Sequence, residues 1–300
     1  MTSDREPLSG MCSVTEPTSA LSLLLTSTTD SAEETMTITT SGALRIGDYL
    51  ARIGLDGTPG PSPEALRVLQ RAHLTHVPFD TIERFLTRDE HLDPRSVVDR
   101  IVVQKRGGSG SQLNVGFGAL LHGLGYLVDL VLARVSEART HFDQSHLALI
   151  VACSGRRFLI DVSGALSDEP LALDTEATQV DTAGAFAVST RPGHHFDVFA
   201  SDDRHYAIDT MPVFPSDQAR QLVAAEHEHG AQFSNEAGPV LSIRRPRGRT
   251  TLIGNKLVET VGTARTVITL EPASLQTVSE QRFGVTLDRR SALAFLQAPS

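Results

Sequence analysis

The sequence predicts an α+β fold in three successive parts: a mostly helical first half, an antiparallel sheet or barrel in the middle, and a smaller α/β unit at the end. Three observations carry this. Up to about Leu124, apolar residues recur at helical spacing between cap and turn signals. From Leu127 the pattern changes to short β-branched runs separated by turn-rich loops. After Pro215 a helical run comes first, followed by three strand-like runs and a closing helix.

Residues 1–42 are dominated by Ser, Thr, Glu and Pro without a sustained period. Such a segment buries too little apolar surface to offset its ordering entropy, so it reads as a disordered tail, with Met11 and Met36 as alternative translation starts. The helical part spans 43–126. It opens near Ile46, passes a Gly/Pro-rich turn, and continues as a helix capped by Ser62 with Pro63 at its first position, ending near His76 to Phe79. Further helices are expected over Pro94 to Val103 and over about Gln112 to Leu124. The sheet or barrel spans 127–214, with strands at Val128–Val135, Ser145–Val151, Arg157–Val162, Ala185–Ser189, His195–Ala200 and Tyr206–Asp209. The last unit, 215–300, carries a helix at Ser216–His229, strands at Val240–Arg244, Thr250–Ile253 and Thr266–Leu270, and a helix at Glu271–Phe283.

Composition narrows the function. A chain of 300 residues, 40% apolar, is long enough for more than one core unit. A net charge of −9 argues against a broad nucleic-acid footprint, which needs a basic face to displace counterions. A basic strip, Arg244-Arg245-Pro246-Arg247-Gly248-Arg249, reads as a solvated turn between strands, with contact to an anionic ligand as the other reading. The two cysteines, Cys12 and Cys153, support neither a disulfide framework nor a cysteine zinc site, and a reducing cytoplasm is expected. The apolar run Leu21 to Leu25 is too short to span a bilayer, so no membrane anchor or export is expected. His141, His194, His195, His205, His227 and His229 show no metal-ligand spacing and read as loop histidines; no metal is expected.

The stretch Gln104 to Asn114 looks like a site. Gly107, Gly108 and Gly110 let the backbone turn sharply and let other groups approach the helix that follows. It is neither a phosphate loop, since no Gly-Lys-Ser/Thr follows, nor a dinucleotide loop. An ordinary structural turn is the alternative. Farther on, His146 opens one strand and Asp161 closes the next, so a hairpin sets an imidazole beside a carboxylate. That is the orienting half of a nucleophilic triad, or else a strand-end histidine with a polar partner.

Successive blocks also resemble one family. Tyr49 to Gly57, Ala72 to Asp80, Lys105-Arg106-Gly107-Gly108, Ala133-Arg134-Val135, His146-Leu147-Ala148-Leu149, Ile160-Asp161-Val162 and Phe283-Gly284-Val285 are similar, in order, to the arylamine N-acetyltransferases, over about Ile46 to Leu296. The resemblance implies an N-terminal helical bundle, a central antiparallel β-barrel and a C-terminal α/β lid, with a cysteine-protease-like core. It also implies a Cys-His-Asp triad that takes an acetyl group from acetyl-CoA as a thioester and passes it to an aromatic amine. His146 and Asp161 take the histidine and aspartate places. Gly110 takes the cysteine's place, which closes the thioester route.

Other positions depart with it. The flanking aromatics are Ser109 and Ser111, the glutamate is Gln112, and Gly-Phe-Gly after the aspartate's valine is Ser163-Gly164-Ala165. Each lost ring normally fills roughly 150–250 Å², so the pocket is expected to be wider or wetter. Phe79, Arg106, Ser109, Ser111, Gln112 and Ser163 are the expected substrate contacts, and an acyl-CoA donor is implied by resemblance. Ser109 and Ser111 sit one residue either side of Gly110 and so point away from the nucleophile's direction. Cys153 reads as a small buried hydrophobe.

Two functions fit. One is a non-covalent acyl-transfer, amide-forming or cyclising enzyme of natural-product metabolism, with His146 and Asp161 as general base and an aromatic amine or pathway intermediate as substrate. The other is a catalytically silent relative that binds a small molecule or serves as a scaffold.

Overall fold

The computed structural model describes residues 45–87, 91–137, 142–164, 166–193, 195–201, 204–212 and 238–297, the side chains of 135–146, 204, 211 and 212 excepted. The expected tail at 1–42 and the expected helix Ser216–His229 lie outside them.

The helical segment begins with α1 (Ile46–Arg52) and α2 (Pro63–His76). Ser62 Oγ accepts from the Ala65 N–H at 3.1 Å and Pro63 follows, so α2 starts where the sequence signals put it. A short helix α3 (Ile82–Thr87), which the sequence reading did not include, precedes α4 (Pro94–Val102), capped by Asp93. Next comes α5 (Gly110–Gly123). Every residue from Leu113 to Leu121 is buried, the pattern of a helix covered on all sides. Phe117, Leu120 and Leu121 pack with Tyr49, Leu66, Leu69 and Ile101.

The middle of the chain forms an eight-stranded antiparallel sheet. Its strands are β2 (Leu127–Glu137), β3 (Phe142–Cys153), β4 (Arg156–Ile160), β5 (Leu171–Ala172), β6 (Gln179–Asp181), β7 (Gly184–Arg191), β8 (His195–Ala200) and β9 (Arg204–Pro212), in the order β5-β4-β3-β2-β9-β8-β7-β6. The two edge strands are tied by a side chain. The Gln179 carboxamide accepts from the Ala172 N–H at 2.8 Å and donates to the Ala172 carbonyl at 3.0 Å, the two bonds a strand neighbour would make. The sheet is therefore nearly closed and barrel-like, filled by Val131, Ile150, Phe186, Phe196, Val198 and Tyr206.

A second sheet has the order β1-β10-β11-β12-β13. Strands β10 (Val240–Arg245), β11 (Gly248–Ile253), β12 (Lys256–Val261) and β13 (Ala264–Thr269) are consecutive hairpins, but β1 is Phe79–Asp80, from the helical segment. The sequence predicted three strands here; β12, where Lys256 and the Glu259-Thr260 pair leave only Leu257-Val258 as an apolar run, is the one it passed over. The closing helix is a 3-10 turn (Pro272–Ser274) followed by α6 (Leu275–Phe283), which ends at Gly284 in the left-handed region. A further helix, α7 (Arg289–Gln297), was not anticipated; its Phe295 packs with Leu275, Phe283 and Leu252. Among the described residues no helix is long and apolar enough to cross a membrane.

Candidate functional site

The glycine turn is built on Asp80. This fully buried carboxylate meets Arg106 Nε at 2.8 Å and Nη2 at 2.7 Å, Arg100 Nη2 at 3.6 Å, and the Ile82 N–H at 3.0 Å. Arg100 also donates from Nε to the Gly107 carbonyl at 2.7 Å and pairs with Glu83. The Asp80 N–H donates to Gly108 O at 2.8 Å, so the turn is stitched to β1 along its backbone. Gly107 is obligatory there, because a Cβ would fall 1.8 Å from the Pro78 carbonyl oxygen.

The turn delivers the chain into α5. Ser109 Oγ accepts from the Gln112 N–H at 3.2 Å, and Gln112 Oε1 accepts from the Ser109 N–H at 3.1 Å, a reciprocal capping box. The helix thus starts two residues before Gln112, where the sequence reading began it; the Ser-x-x-Gln spacing was the signal for the earlier start. Gly110 is the first helical residue.

Asn114, one turn on, shares a face of α5 with Gly110. Its Nδ2 donates to Asp161 Oδ1 at 2.9 Å and to the Leu147 carbonyl at 2.7 Å, and its Oδ1 accepts from the Val162 N–H at 2.9 Å. The Ser163 N–H adds a bond of 2.8 Å to Asp161 Oδ1. One buried amide therefore joins α5, β3 and the end of β4, with every strong hydrogen-bonding capacity of its Nδ2 engaged. The β2–β3 register sets His146 opposite Ala133, next in the chain to the Leu147 that Asn114 holds. The His146 side chain lies outside the described ones.

The remaining expected residues are placed as follows. Arg106, Ser109 and Gln112 have polar atoms engaged within the chain, Gln112 Nε2 also reaching His91 O at 3.2 Å. Ser111 is buried on α5. Phe79 and Ser163 come together in a narrow crevice, with room for little more than about 10 Å³, that also touches Leu74, Ser242, Arg244 and Arg249. The basic strip is not simply a solvated turn: Arg244 and Arg249 turn inward and both donate to Gly164 O. Asn114 and Asp80 are not among the site residues expected from sequence, and Arg244 and Arg249 are expected there only as part of a basic strip, without a role in holding the 162–164 turn. Asn114 carried a signal, its place in the family's turn; the others are joined by contacts across distant parts of the chain.

Elsewhere, burial, with nearby Glu64, pushes the Cys153 thiol up, against a nucleophilic role. His195 and His205 lie on strands rather than loops, His205 Nε2 at 2.8 Å from Asp197 and His195 Nδ1 at 3.6 Å from Asp209. Among the described residues no group of three or more His, Cys, Asp or Glu side chains is arranged to hold a metal.

A helical segment followed by a nearly closed antiparallel sheet is the fold of solved arylamine N-acetyltransferases. Residues 63–292 match the N-acetyltransferase family, and the chain belongs to it, specifically to the arylamine N-acetyltransferases. Solved structures with the same fold include the arylamine N-acetyltransferase of Mycobacterium abscessus, with a TM-score of 0.73 at 23% identity over 85% of this chain and 94% of that one. That of Salmonella typhimurium gives 0.74 at 21% identity over 84% and 97%. Among curated relatives, the arylamine N-acetyltransferase of Mycolicibacterium smegmatis is 32% identical over 46% of this chain and 53% of its own length. Proansamycin X synthase of Amycolatopsis mediterranei is 35% identical over 42% and 51%. The chain thus spans about half the length of the curated relatives it matches.

Proposed function

We propose that this chain transfers an acyl group directly from an activated donor to an amine, without a covalent intermediate on the protein. Gly110 stands where the family resemblance puts the nucleophilic cysteine, and glycine has no side chain to acylate. His146 then acts as general base and Asp161 orients it. The amine nitrogen attacks the acyl carbon of a thioester such as acyl-CoA, the N–C bond forms, and the C–S bond breaks. The amine proton passes to the imidazole and from there to the departing thiolate. A positioned base supplies on the order of 10²–10⁴ in rate, and holding donor and amine together supplies more.

The observation that carries the reading is the Asn114 clasp on Asp161. A buried carboxylate is held in a fixed orientation by Asn114, which itself stands one helical turn along α5 from Gly110. The acceptor is an aromatic amine or the amine of a natural-product intermediate; similarity to proansamycin X synthase supports the second.

Purified protein incubated with acyl-CoA and a panel of arylamines, read by mass spectrometry, tests this. Multiple turnovers that fall at least about a hundredfold in His146→Ala are expected. Turnover that survives His146→Ala sinks the general-base role. No turnover with any donor, together with ligand binding that His146→Ala leaves intact, favours the silent, ligand-binding alternative. Gly110→Cys is expected to gain a covalently acetylated form detectable by intact mass.

A further inference from the structure

Arg244 and Arg249 face each other across β10 and β11, a register in which like charges repel. Both nevertheless aim at one oxygen. Arg244 Nη2 donates to the Gly164 carbonyl at 3.1 Å, and Arg249 Nη2 donates to the same carbonyl. Arg244 Nε also meets Asp168 Oδ1 at 2.9 Å, and Arg249 Nη1 reaches Ser242 Oγ at 3.5 Å. Gly164 holds φ at +77°, and a Cβ there would lie 3.0 Å from Arg249 Nη2, so the turn is shaped to let the guanidinium in.

Gly164 ends a short path from the clasp. Asp161, Val162, Ser163 and Gly164 are consecutive, and the middle two donate their N–H groups to Asn114 Oδ1 and Asp161 Oδ1. Bonds from a cationic donor are roughly twice as strong as neutral ones, and two converge on this carbonyl. Two partly buried arginines side by side carry a repulsion that an ordinary strand pair avoids, which a solvated turn would not need.

We infer that Arg244 and Arg249 are positioning residues: they fix the 162–164 turn from the second sheet and so set the orientation of Asp161. The catalytic consequence rests on the proposed function; the mechanical part does not.

Amide-resolved hydrogen exchange on the full chain tests it, comparing wild type with Arg249→Gln and the Arg244→Gln/Arg249→Gln pair. Exchange at Val162 and Ser163 is expected to rise about tenfold or more, with Leu120 and Val198 unchanged as internal references. Arg249→Lys keeps the charge but loses the fork, and carries the same test if the glutamine variants do not fold; it should still speed Val162 and Ser163 relative to Leu120. In the acyl-transfer assay kcat is expected to fall with KM held. Val162 and Ser163 exchanging at wild-type rates, or accelerating only in step with Leu120 and Val198, overturns the inference. Undiminished turnover in Asp161→Asn instead removes the proposed function and leaves the exchange result standing.

Discussion

Asp80 and Asp161 are both buried beside the start of α5, and they are held by opposite kinds of donor. Asp80 is gripped by two guanidinium groups, Arg106 at 2.7 Å and Arg100 at 3.6 Å. The described donors to Asp161 are neutral amides, Asn114 Nδ2 and the Ser163 N–H. A carboxylate matched by cations has its charge cancelled where it stands and serves to fix geometry. One that accepts neutral N–H groups is oriented by them and can also face an imidazole, as the proposed general-base pair requires. The same side chain thus does a structural task on one side of the helix start and is suited to a chemical one on the other.

The comparison breaks most readily at Asp80. Asp80→Asn leaves Arg100 and Arg106 without their shared counter-charge in a buried setting, and a loss of about 3–5 kcal/mol is expected. Urea unfolding should show it, with Asp161→Asn losing far less because an amide oxygen still accepts from Asn114 and Ser163. Equal losses in the two variants would erase the distinction. Next in size is Asn114→Leu, which strips partners from Asp161, Leu147 O and the Val162 N–H together. A loss on the order of 3 kcal/mol is expected, accompanied by loss of turnover, whereas Asp80→Asn should reduce turnover only as far as it reduces the folded fraction.

How much of this could be read from the chain depends on the range of the interaction. Ser62-Pro63 and Asp93-Pro94 announce α2 and α4 within one turn, and the β-branched runs from Val128 to Asp209 announce their strands by local alternation. Family likeness in the turn and in Ile160-Asp161-Val162 pointed to both sides of the site. Phe79–Asp80 as a strand had no such announcement: two residues have no period, and their partners, Ser242 and Leu241, come from the other end of the chain. Arg244 and Arg249 look like surface charge for the same reason, since the carbonyl they bind is 80 and 85 residues away. Ser109 and Gln112 looked like departures from a family pattern, and together they make a helix cap.

Acid sensitivity sharpens the comparison by separating the aspartates from the helical core. His73 is fully buried, bonded through Nδ1 to Tyr49 OH at 3.2 Å; burial, then Arg52 and His76, lower its pKa to about 3. The unfolded chain takes up this proton below about pH 6.5 and the folded one does not until near 3, so the folded state loses ground as pH falls through that window. At pH 5 the loss from His73 alone is about 2 kcal/mol relative to pH 7. His73→Gln, which keeps an acceptor for Tyr49, should flatten that limb of the urea-derived stability profile. An unchanged limb would move the acid response back to the carboxylates.

The smallest expected effect is at the helix start that lies between the two aspartates. Ser109→Ala removes the oxygen that accepts the Gln112 N–H and should destabilise by about 1 kcal/mol. If the Asp80 hub fixes the turn and Asn114 fixes the far side, this loss stays at the cap: exchange at the Gln112 amide quickens, while Val162 and Ser163 keep their protection. Should Val162 quicken as well, the cap and the clasp move together. The orientation of Asp161 would then depend on Ser109 as well, and Ser109 would join Asn114 among the residues that set it.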